Sequence, residues 1–350
     1  MKVFIFPLAC FLFFCSRPNH QITGLDATNL KLSIKGKKEF RIAFGSCLDQ
    51  DKPMPIWKAI KQKEPNLMLL IGDNVYGDSN SPGLPELKKA YFKQQENLNS
   101  EKFNYPIWAI WDDHDYGLND GGAMFPYRKE AEELFLKFFN VPEKDPRHKR
   151  KGLYYKESVQ IANHKINFLF LDTRSFRGPL KQTDSPREAG KERYVPAPKS
   201  QSSMLGKDQW SWLKENLIEK VDLVILISSI QVIAEGHGFE RWGLLPREQL
   251  RLYNLLSSSG AKEIIAISGD RHRAGIYRKK IPNDKELWEL TSSSLNKPSN
   301  HAEEPGPYRL GATYQKENFG LIKVNGQTKK ISLQIHNKTG QKVLVEEINW

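Results

Sequence analysis

The chain has 350 residues, 39% of them apolar, and a formal net charge of +12. That is enough apolar material for one large α/β domain or two ordinary ones, and it excludes a disordered polymer. The positive balance favours phosphates, anionic polymers or lipid headgroups as partners. The lysines are scattered, however: the nearest thing to a run is Arg147-His148-Lys149-Arg150-Lys151, with no recognition motif beside it, so sequence-specific nucleic-acid binding is not expected.

Residues 1–16 open with one lysine and continue as an apolar run to Cys15 and Ser16, the form of an export signal. No later run reaches the ~20 apolar residues that a membrane span needs. Leu12-Phe13-Phe14-Cys15 also resembles a bacterial lipoprotein cleavage box, with a bulky Phe where a small residue is usual. The expectation is an exported protein, periplasmic or associated with the cell envelope, with membrane anchoring through a lipidated Cys15 as one form of it. Without the leader Cys47 stands alone or with Cys15, so no disulfide framework exists. Residues 17–38 form a short polar segment, and residues 39–350 contain no repeat or linker, which predicts a single domain.

In chain order, Phe40-Arg41-Ile42-Ala43-Phe44 predicts a first strand that ends in Gly45-Ser46-Cys47. A helix over 56–63 carries Ile56, Trp57 and Ile60 on one face, and Leu67-Met68-Leu69-Leu70-Ile71 then runs into Gly72-Asp73-Asn74-Val75-Tyr76. A right-handed crossover lays these two strands parallel. As neighbours their ends lie ~5 Å apart, which sets Cys47 opposite Asp73. A surface helix over 85–98 and a strand over 105–111 follow. This strand empties into Asp112-Asp113-His114-Asp115-Tyr116-Gly117-Leu118-Asn119-Asp120, an acidic cluster that reads either as a solvated loop or as the ligand set of a hard cation.

An amphipathic helix is expected over 127–139, and a strand over 165–171 delivers Asp172-Thr173-Arg174. Residues 175–203 carry Arg177, Lys181, Arg187 and Arg193 in a long stretch without apolar periodicity, which predicts a mobile lid beside a site. A helix begins near Leu205, and a second has Pro246 at its start and Gly260 past its end. Buried strands over 223–227 and 263–267 end in Ser228-Ser229-Ile230-Gln231 and Ser268-Gly269-Asp270-Arg271-His272, and a further strand over 287–290 ends in Thr291-Ser292-Ser293-Ser294. Beyond Asn318, Asn325-Gly326 and Thr339-Gly340 turns predict a closing antiparallel meander.

Sites in open α/β sheets form beyond the carboxyl ends of the strands, where Cys47, Asp73, Tyr76, Asp113, His114, Asn119, Asp270 and His272 all fall. Each has an ordinary reading, such as a small core residue for Cys47 or a turn for Gly72-Asp73. Four such groups after four buried strands favour a metal site. Asp73, central in the sheet, suits an oxygen that bridges two cations. Thiolate and phenolate favour a trivalent or borderline metal, and Asn and Asp oxygens a harder one.

From about Arg41 to Ser294 the order and spacing of these motifs, with Leu171-Asp172-Thr173-Arg174 and Gln209-Trp210-Ser211-Trp212-Leu213, resemble the alkaline phosphatase D (PhoD-like) phosphatases of the metallophosphatase superfamily. The resemblance implies an α/β four-layer fold, two mixed β-sheets packed face to face and flanked by helices. It also implies a paired-metal phosphoesterase site that uses a tyrosinate as purple acid phosphatases do. Cys47 and Tyr76 would ligate iron as Fe3+, Asp73 would bridge, and Asn119, Asp270 and His272 would complete the metal shell, with calcium or another divalent metal as the other ion. Unlike better-known members, the chain has little ahead of Phe40 to build a β-domain and ends in strands rather than a capping helix.

The expected chemistry is in-line attack on a phosphate mono- or diester by metal-bound hydroxide. His114, supported by Asp113, would protonate the leaving alkoxide, and Arg174 would contact the non-bridging oxygens. The alternatives are that His114 only orients and that Arg174 only pairs with Asp172 or Asp113. An alternative from another class is a surface polyanion-binding protein on a non-catalytic scaffold. Another is a nuclease or lipid phosphodiesterase.

Overall fold

The computed structural model describes residues 21–349 except Lys35, Arg187, Ala189, Gly190, His301 and Glu304. The leader and Cys15 lie outside the described residues. Two mixed sheets of six strands form the body. The first sheet contains β1 (Glu39–Gly45), β2 (Leu67–Ile71) and β3 (Ile107–Ile110), parallel and adjacent. Its helices are α1 (Ile56–Gln62), α2 (Pro85–Ser100), the single turn α3 (Asp113–Tyr116) and α4 (Arg128–Phe138). The second sheet holds β4 (Tyr155–Ile161), β5 (His164–Phe170), β6 (Val221–Ile227), β7 (Ala261–Ser268), β8 (Ala274–Lys280) and β9 (Glu286–Ser292), with helices α5 (Gly206–Leu217) and α6 (Pro246–Ser257). The expected meander is present as β10 (Asn318–Asn325), β11 (Lys330–Asn337) and β12 (Lys342–Asn349), and it enters the first sheet by antiparallel pairing of β10 with β1.

Strand periodicity explains the layering. In β6, Leu223, Ile225 and Ile227 join the core between the sheets, while Val224 and Leu226 join a second core under α5 and α6. Ile265 and Ile267 of β7 face inward and Ile264 and Ala266 outward in the same way. Successive side chains alternate faces, so a run buried on both must be apolar throughout. Phe168 closes the inter-sheet layer edge-on against Phe40 and Trp108, at 6.3 and 5.4 Å between ring centroids. Together with helices on the outside, this is the four-layer arrangement expected.

At one edge the two sheets touch. Ser46, just past β1, bridges to Ser293, just past β9, and Leu295 N–H donates to the Ser46 carbonyl at 2.9 Å. The carboxyl ends of both parallel sets therefore open onto a common cleft.

Candidate metal centre

Each strand end hands its functional residue over in a sharp turn. Cys47, Asp73, Asp120, Asp270 and His272 all adopt left-handed backbone, with φ of 56°, 48°, 54°, 59° and 53°. Such conformations cost non-glycine residues roughly 1–3 kcal/mol each and persist where the surroundings over-determine them. Gly72 permits a close approach: a Cβ there would lie 2.5 Å from the Cβ of Asp112.

The parallel neighbours β1 and β2 bring Cys47 and Asp73 together as expected, with Sγ 3.3 Å from Asp73 Oδ2. Ser293 Oγ lies 3.1 Å from the sulfur, and the Tyr76 hydroxyl donates to Asp73 Oδ2 at 3.1 Å. Ligand atoms of Cys47, Asp73 and His272 lie within 4.8 Å of one another, as do those of Asp73, Asp112, Asp113 and Asp270. Asp73 belongs to both groups. Asp113 also forms such groups with Asp73 and His114, and with Asp120 and Glu240. Asn119 lines the same cleft, half-buried, and its carboxamide makes no hydrogen bond among the described residues.

The electrostatics show what the chain alone leaves unbalanced. Burial, then Cys47 and the carboxylates of Asp113, Asp112 and Asp270, push Asp73 well above the usual carboxylate range. Burial, then Asp112, Asp113 and Glu240, lift Asp270 likewise. Burial alone would raise the Cys47 thiol, but the adjacent His272 imidazole outweighs it and brings the group down to about 6. Asp73 Oδ1 and Asp112 Oδ2 are buried without a hydrogen-bond partner. Crowded carboxylates with unpartnered oxygens, beside a depressed thiol and an imidazole, fit bound cations.

Around them lies a cavity of about 340 Å³, lined by Asp113, His114, Asn119, Asp120, Asp270 and His272 together with Lys52, Arg193, Arg271 and Lys297. His114 packs its ring against Tyr76 at 4.2 Å, and its Nδ1 lies 3.0 Å from Asp78 Oδ2. Burial alone would lower its pKa, but Asp113 and Asp78 override that and hold it at about 9.

Three expectations are corrected. Arg174, expected at the phosphoryl oxygens, is fully enclosed: Nε donates to Asp112 Oδ1 at 2.6 Å, and Nη1 to Glu240. The guanidinium bonds to neither Asp172, which accepts only the Arg174 backbone N–H at 2.9 Å, nor Asp113, and Arg174 does not line the cavity. Asp115, counted with the acidic cluster, accepts the backbone N–H groups of Asn74 and Asp112 at 2.9 Å each and belongs to none of the ligand groups. It caps the α3 turn. The stretch 175–203, expected as a mobile lid, is tied to the body at three described residues: Arg193 reaches both Asp120 oxygens at 2.6 Å, Tyr194 donates to Asp120 Oδ2 at 2.9 Å, and Arg177 meets Glu240 at 3.1 Å. Arg193 lines the cleft.

Sequence reasoning missed Glu240, Asp78, Ser293 and Lys297. Lys297 sits 3.2 Å from the centroid of the Tyr76 ring and pairs with Asp49 at 3.0 Å, while its carbonyl holds His272 Nδ1. Ser293 stands just past β9 at a strand end the sequence did mark, whereas Glu240, Asp78 and Lys297 come from loops with no local signal.

Two face-to-face mixed sheets with carboxylates, imidazole and thiol gathered at a shared edge define a metallophosphatase, a metal-dependent phosphoesterase. The model of the PhoD-like phosphatase family matches residues 163–344, and the chain belongs to that family. Among solved structures it is similar to PhoD, with a TM-score of 0.68 and 17% identity over 88% of this chain and 68% of that one. It is similar also to GAP50, the anchor in the inner membrane complex of Plasmodium, with a TM-score of 0.60 and 15% identity over 89% of each chain. Purple acid phosphatase PPD1 from yellow lupin (Lupinus luteus) seeds matches with a TM-score of 0.58 and 14% identity, over 89% of this chain and 54% of that one. No curated protein sequence matches the chain.

Proposed function

We propose that the protein is an exported phosphoesterase that hydrolyses phosphate mono- or diesters at a two-cation centre. The observation that carries this is the sharing of Asp73 between the Cys47 and His272 group and the Asp112, Asp113 and Asp270 group. In this reading Asp73 would be shared between the two ions, Cys47 and Tyr76 would hold Fe3+, and Asn119, Asp270 and His272 would complete the shells, with calcium or another divalent ion as the second metal. Bound cations would supply Lewis acidity, providing a water of lowered pKa as nucleophile and offsetting charge on the phosphoryl oxygens.

The chain's own groups do the remainder. His114, held through Nδ1 by Asp78, presents Nε2 with a proton for the leaving oxygen. Arg193, Arg271, Lys52 and Lys297 give the cavity wall positive charge toward a phosphate ester. Arg174 acts at one remove, by fixing Asp112 beside the centre.

Hydrolysis of bis-p-nitrophenyl phosphate and of p-nitrophenyl phosphate, before and after chelation and with metals added back, tests the proposal. Turnover unchanged after verified metal removal overturns it, and absence of turnover under every metal condition leaves the polyanion-binding reading. Export is proposed on the strength of residues 1–16 alone, and N-terminal sequencing of the mature protein that finds Met1 retained would refute it.

Cys47→Ser is expected to lower iron content and turnover together and to shift or remove visible absorption. If Cys47 only packs, the near-isosteric serine leaves metal content unchanged and elemental analysis shows it.

The pH profile tests His114. A proton donor held at about 9 is charged below that value, so turnover is expected to fall on the alkaline side near it. Asp78→Asn removes a partner that raises the pKa and should move that limb to lower pH. The same shift links to stability: the contribution of His114 is fully present below the free imidazole value of about 6.5 and is lost as pH rises through the folded value. An alkaline limb that Asp78→Asn leaves in place would remove His114 from proton donation.

A further inference from the structure

The strands that carry the metal centre at their carboxyl ends frame a second, larger cavity at their amino ends, of about 620 Å³. Lys37 and Lys38 precede β1, Pro65 and Asn66 precede β2, and Asn104, Tyr105 and Pro106 precede β3, and all of them line it. A five-residue strand such as β2 rises about 17 Å, so the two openings lie on opposite edges of one sheet. Five cations line the second cavity (Lys31, Lys37, Lys38, Arg41 and Lys61) against two acids, Glu39 and Glu64. Arg41 is paired with Glu39 and Glu64, and Lys61 with Glu101. Lys31, Lys37 and Lys38 are exposed and make no ion pair among the described residues. Tyr105, 3% exposed, also lines the cavity, and its buried hydroxyl has no hydrogen-bond partner.

The amino-terminal segment packs on this edge. Asp26 N–H donates to Asn99 Oδ1 near the end of α2, and the turn Asp26–Asn29 packs on β3. Gln21 is six residues beyond Cys15, a reach of at most about 20 Å. This placement rests on the export reading: a bilayer holding a lipidated Cys15 would thus lie close to the lysine-rich edge and far from the metal centre.

We propose that the edge bearing Lys31, Lys37 and Lys38 docks on the anionic lipid headgroups of the membrane, so that the catalytic cleft faces away from the bilayer. Charge complementarity and the short tether select lipid as the occupant. The consequence is functional: phosphate esters in the same bilayer are out of reach, and soluble or polymeric esters are presented to the cleft.

Sedimentation of the full chain with phosphatidylcholine vesicles, alone or containing phosphatidylglycerol, tests this at low and high salt. The leader is common to wild type and variant, so the readout is the change in preference for anionic vesicles when the lysines are replaced. Each lysine near an anionic surface adds ~1 kcal/mol, and combined Lys31→Gln, Lys37→Gln and Lys38→Gln should weaken that preference by about a hundredfold. High salt should weaken it as well, and hydrolysis of soluble ester should be unchanged. A triple variant that keeps the preference overturns the proposal. So does a chain indifferent to anionic vesicles whose lysine-dependent binding is of soluble polyphosphate.

Discussion

Replacing Asp73 with Asn is expected to lower phosphoesterase turnover on the order of a thousandfold and, in metal-free protein, to raise the melting temperature. The two signs come from one arrangement. Asp73 is fully buried, with Asp113, Asp112 and Asp270 acting on it and Oδ1 unpartnered. A carboxyl whose folded pKa lies above its unfolded value stabilises the fold only while protonated; that contribution is present below about pH 4 and is lost as pH rises through the folded value. Without cations the crowding therefore opposes ionisation of Asp73, and an amide in its place cannot ionise and can donate to Asp113. A gain of roughly 2–4 °C corresponds to about 1 kcal/mol in a large domain. The metal-loaded variant should behave oppositely and lose the stabilisation that ligands binding only the native state confer. Calorimetry with and without metals, beside rate measurement, separates these arms. Normal turnover in the variant would take Asp73 out of the centre.

The strand ends were legible because burial on both faces forces uninterrupted apolar runs, and the residue after such a run is fixed at the sheet's edge. Phe40 to Phe44, Leu67 to Ile71 and Glu263 to Ile267 located Cys47, Asp73 and Asp270 without any knowledge of pairing. β4, with Lys156, Glu157 and Gln160 on an edge strand, and β8, with Arg278, Lys279 and Lys280, lack that signal and were not foreseen. Asp115 and Asp113 could not be told apart, since a capping carboxylate and a ligand look identical in sequence. Glu240 comes to the centre from a distant loop, where it meets Arg174, 66 residues earlier, and Lys297 comes there across the junction that Ser46 and Ser293 make between the two sheets. Long-range pairing of this kind carries no local pattern.

Arg174→Met is expected to cost about 3–5 kcal/mol of stability, the largest loss foreseen for a residue that does not line the cleft. The guanidinium is wholly buried between Asp112 and Glu240, and Asp270 lies 4.0 Å away. Removing it takes from two enclosed carboxylates the cation they share. Burial pushes Glu240 up to about 7 even with Arg174 and Arg177 present, so in the variant it should protonate near neutral pH. Arg177, 3.1 Å from Glu240, covers part of the loss, whereas Asp112 keeps only Ser229 as a side-chain partner. The kinetic signature distinguishes this role from phosphate binding. A residue that touched substrate would raise KM on removal and leave the denaturation midpoint nearly unchanged, because its charge would face solvent. A residue that holds Asp112 should instead lower kcat and metal occupancy with KM little altered, alongside the loss in urea denaturation. Arg174→Lys, which keeps the charge but not the fork that spans two carboxylates, should recover part of the stability and less of the rate. Full recovery of both by lysine would mean that charge alone matters there, and a KM effect without destabilisation would return Arg174 to the substrate.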